Sequence, residues 1–225
     1  MQYTTTYKSP LGGILLAADE KGLTGLWFEG QKYFALYLDK NTSRGKAPIL
    51  EEAKKWLDQY FAGQNPGFQP PLNFTGTDFQ REVWALLCTI PYGETTTYGE
   101  LAKRLAGKRG CSSMSAQAVG GAVGRNEISI IVPCHRVVGS KGSLTGYAGG
   151  IWKKIELLKL EGAWKESFFV PAKSTGPIGA ARRTMTARKG RDGKASRRGP
   201  RLRKCKTEKR NVSQKDGAAF LFCLH

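Results

Sequence analysis

Histidine is nearly absent from this 225-residue chain, which has only His135 and the terminal His225. A structural zinc site takes about four Cys or His ligands at short fixed spacings. Five cysteines at 88, 111, 134, 205 and 223, with no CxxC pair, do not supply one, so no metal is expected. The odd, irregular cysteine set and the lack of a signal peptide point to reduced thiols in a cytoplasmic setting, nuclear if the source is eukaryotic. No apolar run approaches the roughly 20 residues that cross a bilayer, so no membrane is expected. No nucleotide-binding motif is present either, and no cofactor is expected.

Acidic residues are also scarce: 18 Asp and Glu stand against 36 Lys and Arg, a formal net charge of +18. That excess is unevenly placed. Residues 165–225 hold 17 basic and 4 acidic residues, whereas residues 1–164 hold 19 and 14. A polyanionic partner is implied, but the globular part must meet it through a local patch. The tail, 164–225, has almost no apolar periodicity and is expected to be disordered.

Three regions follow from the patterning. Residues 1–72 read as a small α/β domain: β-prone runs "QYTTTYKSP", "GGILLAADEKG" and "LTGLWFEG", then a helix over about 48–62 with Ile49, Ala53, Trp56, Leu57 and Tyr60 on one face. The Pro/Gly-rich stretch 63–76 is a linker. Residues 73–163 open two helices with capping boxes, Thr77 with Gln80 and Thr97 with Glu100, and so suggest a helix-turn-helix. A third helix, in "SSMSAQAVGGAVGRN", is almost all Ala, Gly and Ser. Each interior glycine costs about 1 kcal/mol relative to alanine. A side-chain-poor face suits either close approach to a DNA groove or a tight contact inside the protein, and the pattern alone does not separate them.

The run "ISIIVPCHRVVG" places Cys134 beside His135. A thiol near pKa 8.5 needs a base or a positive environment to act as a nucleophile. On an extended segment neighbours point to opposite faces, so His135 would reach the sulfur only through a bend or a bridging water. Cys88 and Cys111 read as small buried hydrophobes.

With "GTDFQREVW", "IPYGETTTYGELA", "AVGGAVGRN", "PCHRV" and "LLKLEG" in that order, residues 74–163 resemble the O6-alkylguanine-DNA alkyltransferase family. The resemblance implies an α+β protein with a winged-helix-like C-terminal domain. It also implies one-shot DNA repair, in which Cys134 takes the alkyl group from O6-alkylguanine, with O4-alkylthymine as a second candidate, flipped out of double-stranded DNA, by a monomer without cofactor. Position by position, it implies a chain from Cys134 through water to His135 and Glu161. Without it, Glu161 would read as an exposed charge at a helix end. Asn126 matches an asparagine tying the recognition helix to the active-site loop, and Tyr98 a tyrosine that turns the target nucleotide and bonds guanine. Tyr147 matches a pocket wall, and the loop 147–150, with Ala148, supplies backbone donors to O6. Gln117, Gly120, Gly121, Arg125 and Ser129 count as substrate or DNA contacts. Many family members carry an arginine where this chain has Gln117, which brings no charge. Lys103, Arg104, Lys108, Arg109 and Arg125 could hold phosphates. Two other classes stay open: a damage-recognition module without chemistry, against which the nucleophile speaks, and a cysteine hydrolase, which lacks a second base.

Overall fold

The computed structural model describes residues 1–172 apart from Lys40 and Lys46. The basic tail beyond 172 lies outside the described residues. Strands β1 (Gln2–Ser9), β2 (Gly12–Ala18) and β3 (Leu23–Phe28) form an antiparallel meander. Its first turn relies on Gly12 at φ 111°, a conformation that side chains rarely adopt. In the second, Asp19 accepts hydrogen bonds from the backbone of Lys21 and Gly22. A short strand that the sequence did not disclose, β4 (Thr42–Arg44), adds to β1 in parallel, giving the order β3-β2-β1-β4.

Helix α1 (Pro48–Phe61) begins with a proline in its first turn and buries Leu50, Ala53, Trp56, Leu57 and Tyr60. Leu50, rather than the expected Ile49, completes the buried stripe. The Pro/Gly stretch after α1 is anchored where it passes the free edge of β3. Leu23 N–H donates to Pro71 O at 2.7 Å and Asn73 N–H to Leu23 O at 2.9 Å. Further along the same edge Leu26 pairs with Ile128, so little of this strand is left unpaired.

Helices α2 (Asp78–Leu87) and α3 (Tyr98–Lys108) each start on a complete capping box, Thr77 with Gln80 and Thr97 with Glu100. A cap of this kind is worth about 1 kcal/mol. Helix α4 (Ala116–Val123) follows α3 across a turn, and α3, α4 and the supporting α2 pack together as a helix-turn-helix. Strands β5 (Thr96–Thr97) and β6 (Val137–Val138) pair in parallel beside it, and α5 (Ile151–Leu160) closes the unit.

The two possibilities for the glycine-rich helix separate here. Its inner face is Val119, Ala122 and Val123, and Trp84 donates its indole N–H to Ala122 O. Gly121 faces open space, and a Cβ on Gly120 would meet only the Tyr98 ring at 3.6 Å. The glycines therefore do not serve the internal contact.

One core joins both halves, running from Leu16, Phe28 and Leu57 through Val83, Trp84 and Leu101 to Ile130 and Val132. A smaller cluster of Val138, Leu144, Leu158 and Ala163 is covered by Trp164, Phe168 and Val170. Residues 164–170, expected in the disordered tail, instead pack here, and Leu144 N–H donates to Phe169 O at 2.8 Å. Trp164, Phe168 and Val170 are partly buried there, which offsets part of the entropy cost of ordering the segment. Cys88 and Cys111 are half-buried, not core residues. Cys134 is a free, buried thiol.

Candidate active site

The apolar run before Cys134 is a tight turn, not an extended segment. After the bridge at Ile128, Ile131 N–H donates to Ser129 O and Val132 N–H to Ile128 O. Ile130 sits at φ 70° between them, fully buried. For a β-branched residue that backbone costs on the order of 1–3 kcal/mol, and packing must hold it. Asn126, just past α4, supplies the polar framework. Its side chain accepts from Ile128 N–H and donates toward Ile128 O (3.2 Å), Val132 O (2.8 Å) and Cys134 Sγ (3.1 Å). A single asparagine thus joins the end of α4 to the turn and to the thiol.

Cys134–Arg136 form one turn of 3-10 helix. This replaces the alternation expected of an extended strand: Cys134 turns to Asn126, and His135 turns to Glu161 at the end of α5. No hydrogen bond joins the Cys134 sulfur to the His135 imidazole among the described residues, although the His135 backbone helps to lower the thiol. His135 Nε2–H donates to Glu161 Oε1 at 2.7 Å, which leaves Nδ1 as a buried lone pair with no protein partner. Glu161 Oε1 also accepts from the Tyr60 hydroxyl (2.7 Å) and Arg136 Nη2 (3.0 Å), and its Oε2 from Arg136 Nε (2.8 Å). Arg136 spends its remaining nitrogen on Ile90 O. The Glu161 side chain has no exposure to solvent.

The electrostatics follow from this wiring. Burial alone would raise the Glu161 carboxyl, but His135 and Arg136 outweigh it and hold the group far below the usual carboxylate range. Burial also lowers His135, and the Glu161 carboxylate does not offset it, so the imidazole rests neutral. Burial pushes the Cys134 thiol up, against the pull of the Asn126 hydrogen bond and the Lys154 charge. The resting thiol is therefore protonated and needs a base. Lys154, buried in the middle of α5, donates to Val137 O at 2.5 Å, and burial lowers it to about 8.

In front of this cluster lies an open cavity of about 570 Å³, within the range of ligand pockets. Tyr98, Gln117, Gly120, Gly121, Tyr147 and Ala148 line it, together with Lys32 and Tyr33 from the segment after β3. Cys134 is only 6% exposed and lies behind this lining. Tyr98 and Tyr147 separate the two spaces: burial raises both phenols, Tyr98 to about 12, and a charge on Cys134 would raise them further. Tyr98 donates its hydroxyl to Thr145 O. The buried Tyr147 hydroxyl lies close enough to Ser129 for that group to ease its ionisation, yet it reaches hydrogen-bond geometry with no partner.

Some expected site residues fall elsewhere. Ser129 does not line the cavity; it is buried and its hydroxyl meets Gln31 at 3.3 Å. The Gly150 N–H is spent on Tyr147 O within a turn, so the donors left in that loop are the amides of 147–149. Arg109 pairs with Glu82, and Arg104 bonds Thr89 and lines, with Lys103, a different depression. None of these, nor Lys108, borders the cavity.

A family model for the 6-O-methylguanine DNA methyltransferase ribonuclease-like domain matches residues 2–74, and one for the DNA binding domain of the same proteins matches residues 78–163. The chain belongs to the 6-O-methylguanine DNA methyltransferase family. Among relatives of that family, the methylated-DNA–protein-cysteine methyltransferase of Methanosarcina acetivorans is 45% identical over 162 residues, which is 72% of this chain and 99% of the relative. The Mycobacterium leprae protein of the same name is 44% identical over 161 residues, 72% and 93% of the two chains. The crystal structure of Mycobacterium tuberculosis OGT in complex with DNA superposes with a TM-score of 0.63 at 42% identity, covering 72% of this chain and 93% of that one. In this methyltransferase chain, three members of the buried cluster escaped the sequence reading: Tyr60, Arg136 and Lys154. A basic residue at 154, one turn before the buried Leu157 and Leu158, was the available signal for the last.

Proposed function

We infer that the protein repairs alkylated DNA by irreversible transfer of an alkyl group from O6-alkylguanine to Cys134, with O4-alkylthymine a possible second substrate class. The observation that carries this is the pairing of a buried, Asn126-bonded thiol with a neutral histidine. One nitrogen of that histidine is fixed by a carboxylate, the other is unspent, and both groups lie directly behind an open cavity. A base stacked in duplex DNA must be flipped out to present O6, at a cost of a few kcal/mol. It enters between Tyr98, Tyr147 and the bare face of α4. The thiol proton passes to His135 Nδ1 through one water, and Glu161 stabilises the resulting imidazolium. Asn126 and Lys154 stabilise the thiolate. Sulfur attacks the alkyl carbon in line, the carbon–O6 bond breaks, and its electron pair leaves with guanine, which takes up one proton. The amides of 147–149 donate to O6 as charge develops there. Thiol and alkylguanine become thioether and guanine.

A thioether offers water no leaving group, so each molecule acts once, as a monomer, without cofactor. A cytoplasmic setting fits a reaction that consumes a free thiol on genomic DNA, and no helix among the described residues is long and apolar enough to cross a membrane. A recognition module without chemistry would have no use for this thiol. Mass spectrometry after incubation with O6-methylguanine duplex tests the reading. One methyl on the Cys134 peptide per molecule is expected, and continued turnover in excess substrate would refute it.

A further inference from the structure

Two cations meet on one tyrosine ring beside the cavity. Lys32 Nζ lies 4.8 Å from the Tyr33 ring centre, and the Arg125 guanidinium carbon lies 5.0 Å from it. They come from distant parts of the chain, Lys32 from the segment after β3 and Arg125 from the end of α4. Among the described residues neither forms an ion pair with a carboxylate. Lys32 is also the one charged residue that lines the cavity. Arg125 feels the Glu127 carboxyl without contacting it, and Lys32 has no carboxylate partner. Gathering the two like charges is unfavourable, and the ring offsets it only by about 0.5–1 kcal/mol per cation at an exposed site.

The local backbone adds to the cost. Tyr33 holds φ 62°, in the left-handed region, and Ala35 holds φ 51°. Such strain persists where the surroundings over-determine it. Here Lys32 N–H donates to Ala148 O at 3.0 Å, which ties the segment to the loop carrying Tyr147. Lys32 is thus placed with respect to the cavity and does not dangle from a free loop. The part of α4 that lines the cavity presents Gln117, Gly120 and Gly121, which bring no charge to a substrate whose every nucleotide carries one.

We propose that Lys32 and Arg125, gathered by Tyr33, hold a backbone phosphate of the target strand where the flipped nucleotide enters, so that the N-terminal half of the chain contributes directly to DNA engagement. This rests on the reading that the cavity admits a flipped nucleotide. It supplies the charge that Gln117 does not.

The experiment uses the full chain and two substrates: an O6-methylguanine duplex at 50–200 mM salt, and free O6-benzylguanine, which has no phosphate. Lys32→Ala is expected to lower the ratio of duplex to free-base rate constants about ten-fold at low salt. It should also flatten the logarithmic salt dependence by about one unit, the loss of one phosphate contact. Lys32→Arg should restore both, and Arg125→Ala should act in the same direction. A defect of folding would slow both substrates together and leave the salt slope as it was. A wild-type ratio and slope in Lys32→Ala would overturn the proposal. A wild-type chain that reacts with neither substrate would overturn both this proposal and the alkyl-transfer reading beneath it.

Discussion

The two sides of the Tyr98 and Tyr147 partition are built on opposite rules. Behind it, Cys134, His135, Arg136, Lys154 and Glu161 crowd into a space where none exceeds 7% exposure. In front of it, an open cavity is lined mainly by glycine and alanine, with Tyr33, Gln117 and Thr145 and a single charge, Lys32. In the buried cluster every position is fixed by a partner, so a substitution there leaves a charge or a hydrogen bond uncompensated. In the cavity little is bonded to anything, so a substitution changes what fits and how tightly. Chemistry and recognition are thus separable by mutation.

The sharpest break in that separation is Cys134→Ala. Transfer should vanish while affinity for alkylated duplex stays within a few-fold of wild type, as read by mass and by gel shift. Loss of binding along with transfer would mean that the thiol also positions the DNA. Next comes Glu161→Gln, which leaves Arg136 buried without its counter-ion. A loss of about 3–5 kcal/mol in urea unfolding is expected, with transfer slowed on the order of 100-fold because His135 loses its stabilising carboxylate. The sign with pH follows from the depressed carboxyl. Its contribution is present above the unfolded value, about 4.3, and is lost as pH falls below it. Wild type should therefore weaken steeply below pH 4, and Glu161→Gln should not.

A smaller effect is expected at Glu127, which accepts from the Trp27 indole at 2.7 Å while its other oxygen is buried without a partner. Burial raises it to about 7. A carboxyl raised on folding opposes stability where it must ionise, so the penalty grows as pH climbs from the unfolded value through 7. Glu127→Gln should raise the unfolding midpoint more at pH 8 than at pH 5; an equal shift at both would refute the charge argument. The smallest effect is Gly121→Ala. The added methyl meets nothing within the protein, so the helix should gain up to about 1 kcal/mol. Duplex affinity should nonetheless fall, because the methyl occupies the face offered to DNA. Unchanged affinity would show that this face is not the contact.

The sequence disclosed the three long strands, α1 and both capping boxes, because those signals are local: alternation, a helical stripe and a side chain three residues from its partner. β4 is three residues long and carried no such pattern. The turn at 128–133 was hidden for a different reason. Its residues prefer strands, and packing, backbone bonds within the turn and Asn126, reaching over six and eight positions, hold them otherwise. Cys134, His135 and Glu161 came from ordered motif blocks, since no periodicity links residues 26 apart. Arg136 gives no local sign of its buried partner, and the only sign of Lys154 is its place one turn before the buried Leu157 and Leu158.

The Tyr60 hydroxyl meets Glu161 across 101 residues. At about 5–20 residues per second of synthesis, α1 emerges roughly 5–20 s before the carboxylate it will bind. Throughout that interval the N-terminal sheet and helix must keep a polar hydroxyl in an unfinished core. The loop bearing Tyr147 gains its Leu144–Phe169 support later still. On the ribosome the buried cluster is therefore incomplete until Glu161 has appeared, and a nascent chain interrupted before it carries Cys134 and His135 without the carboxylate that Tyr60 and His135 bond.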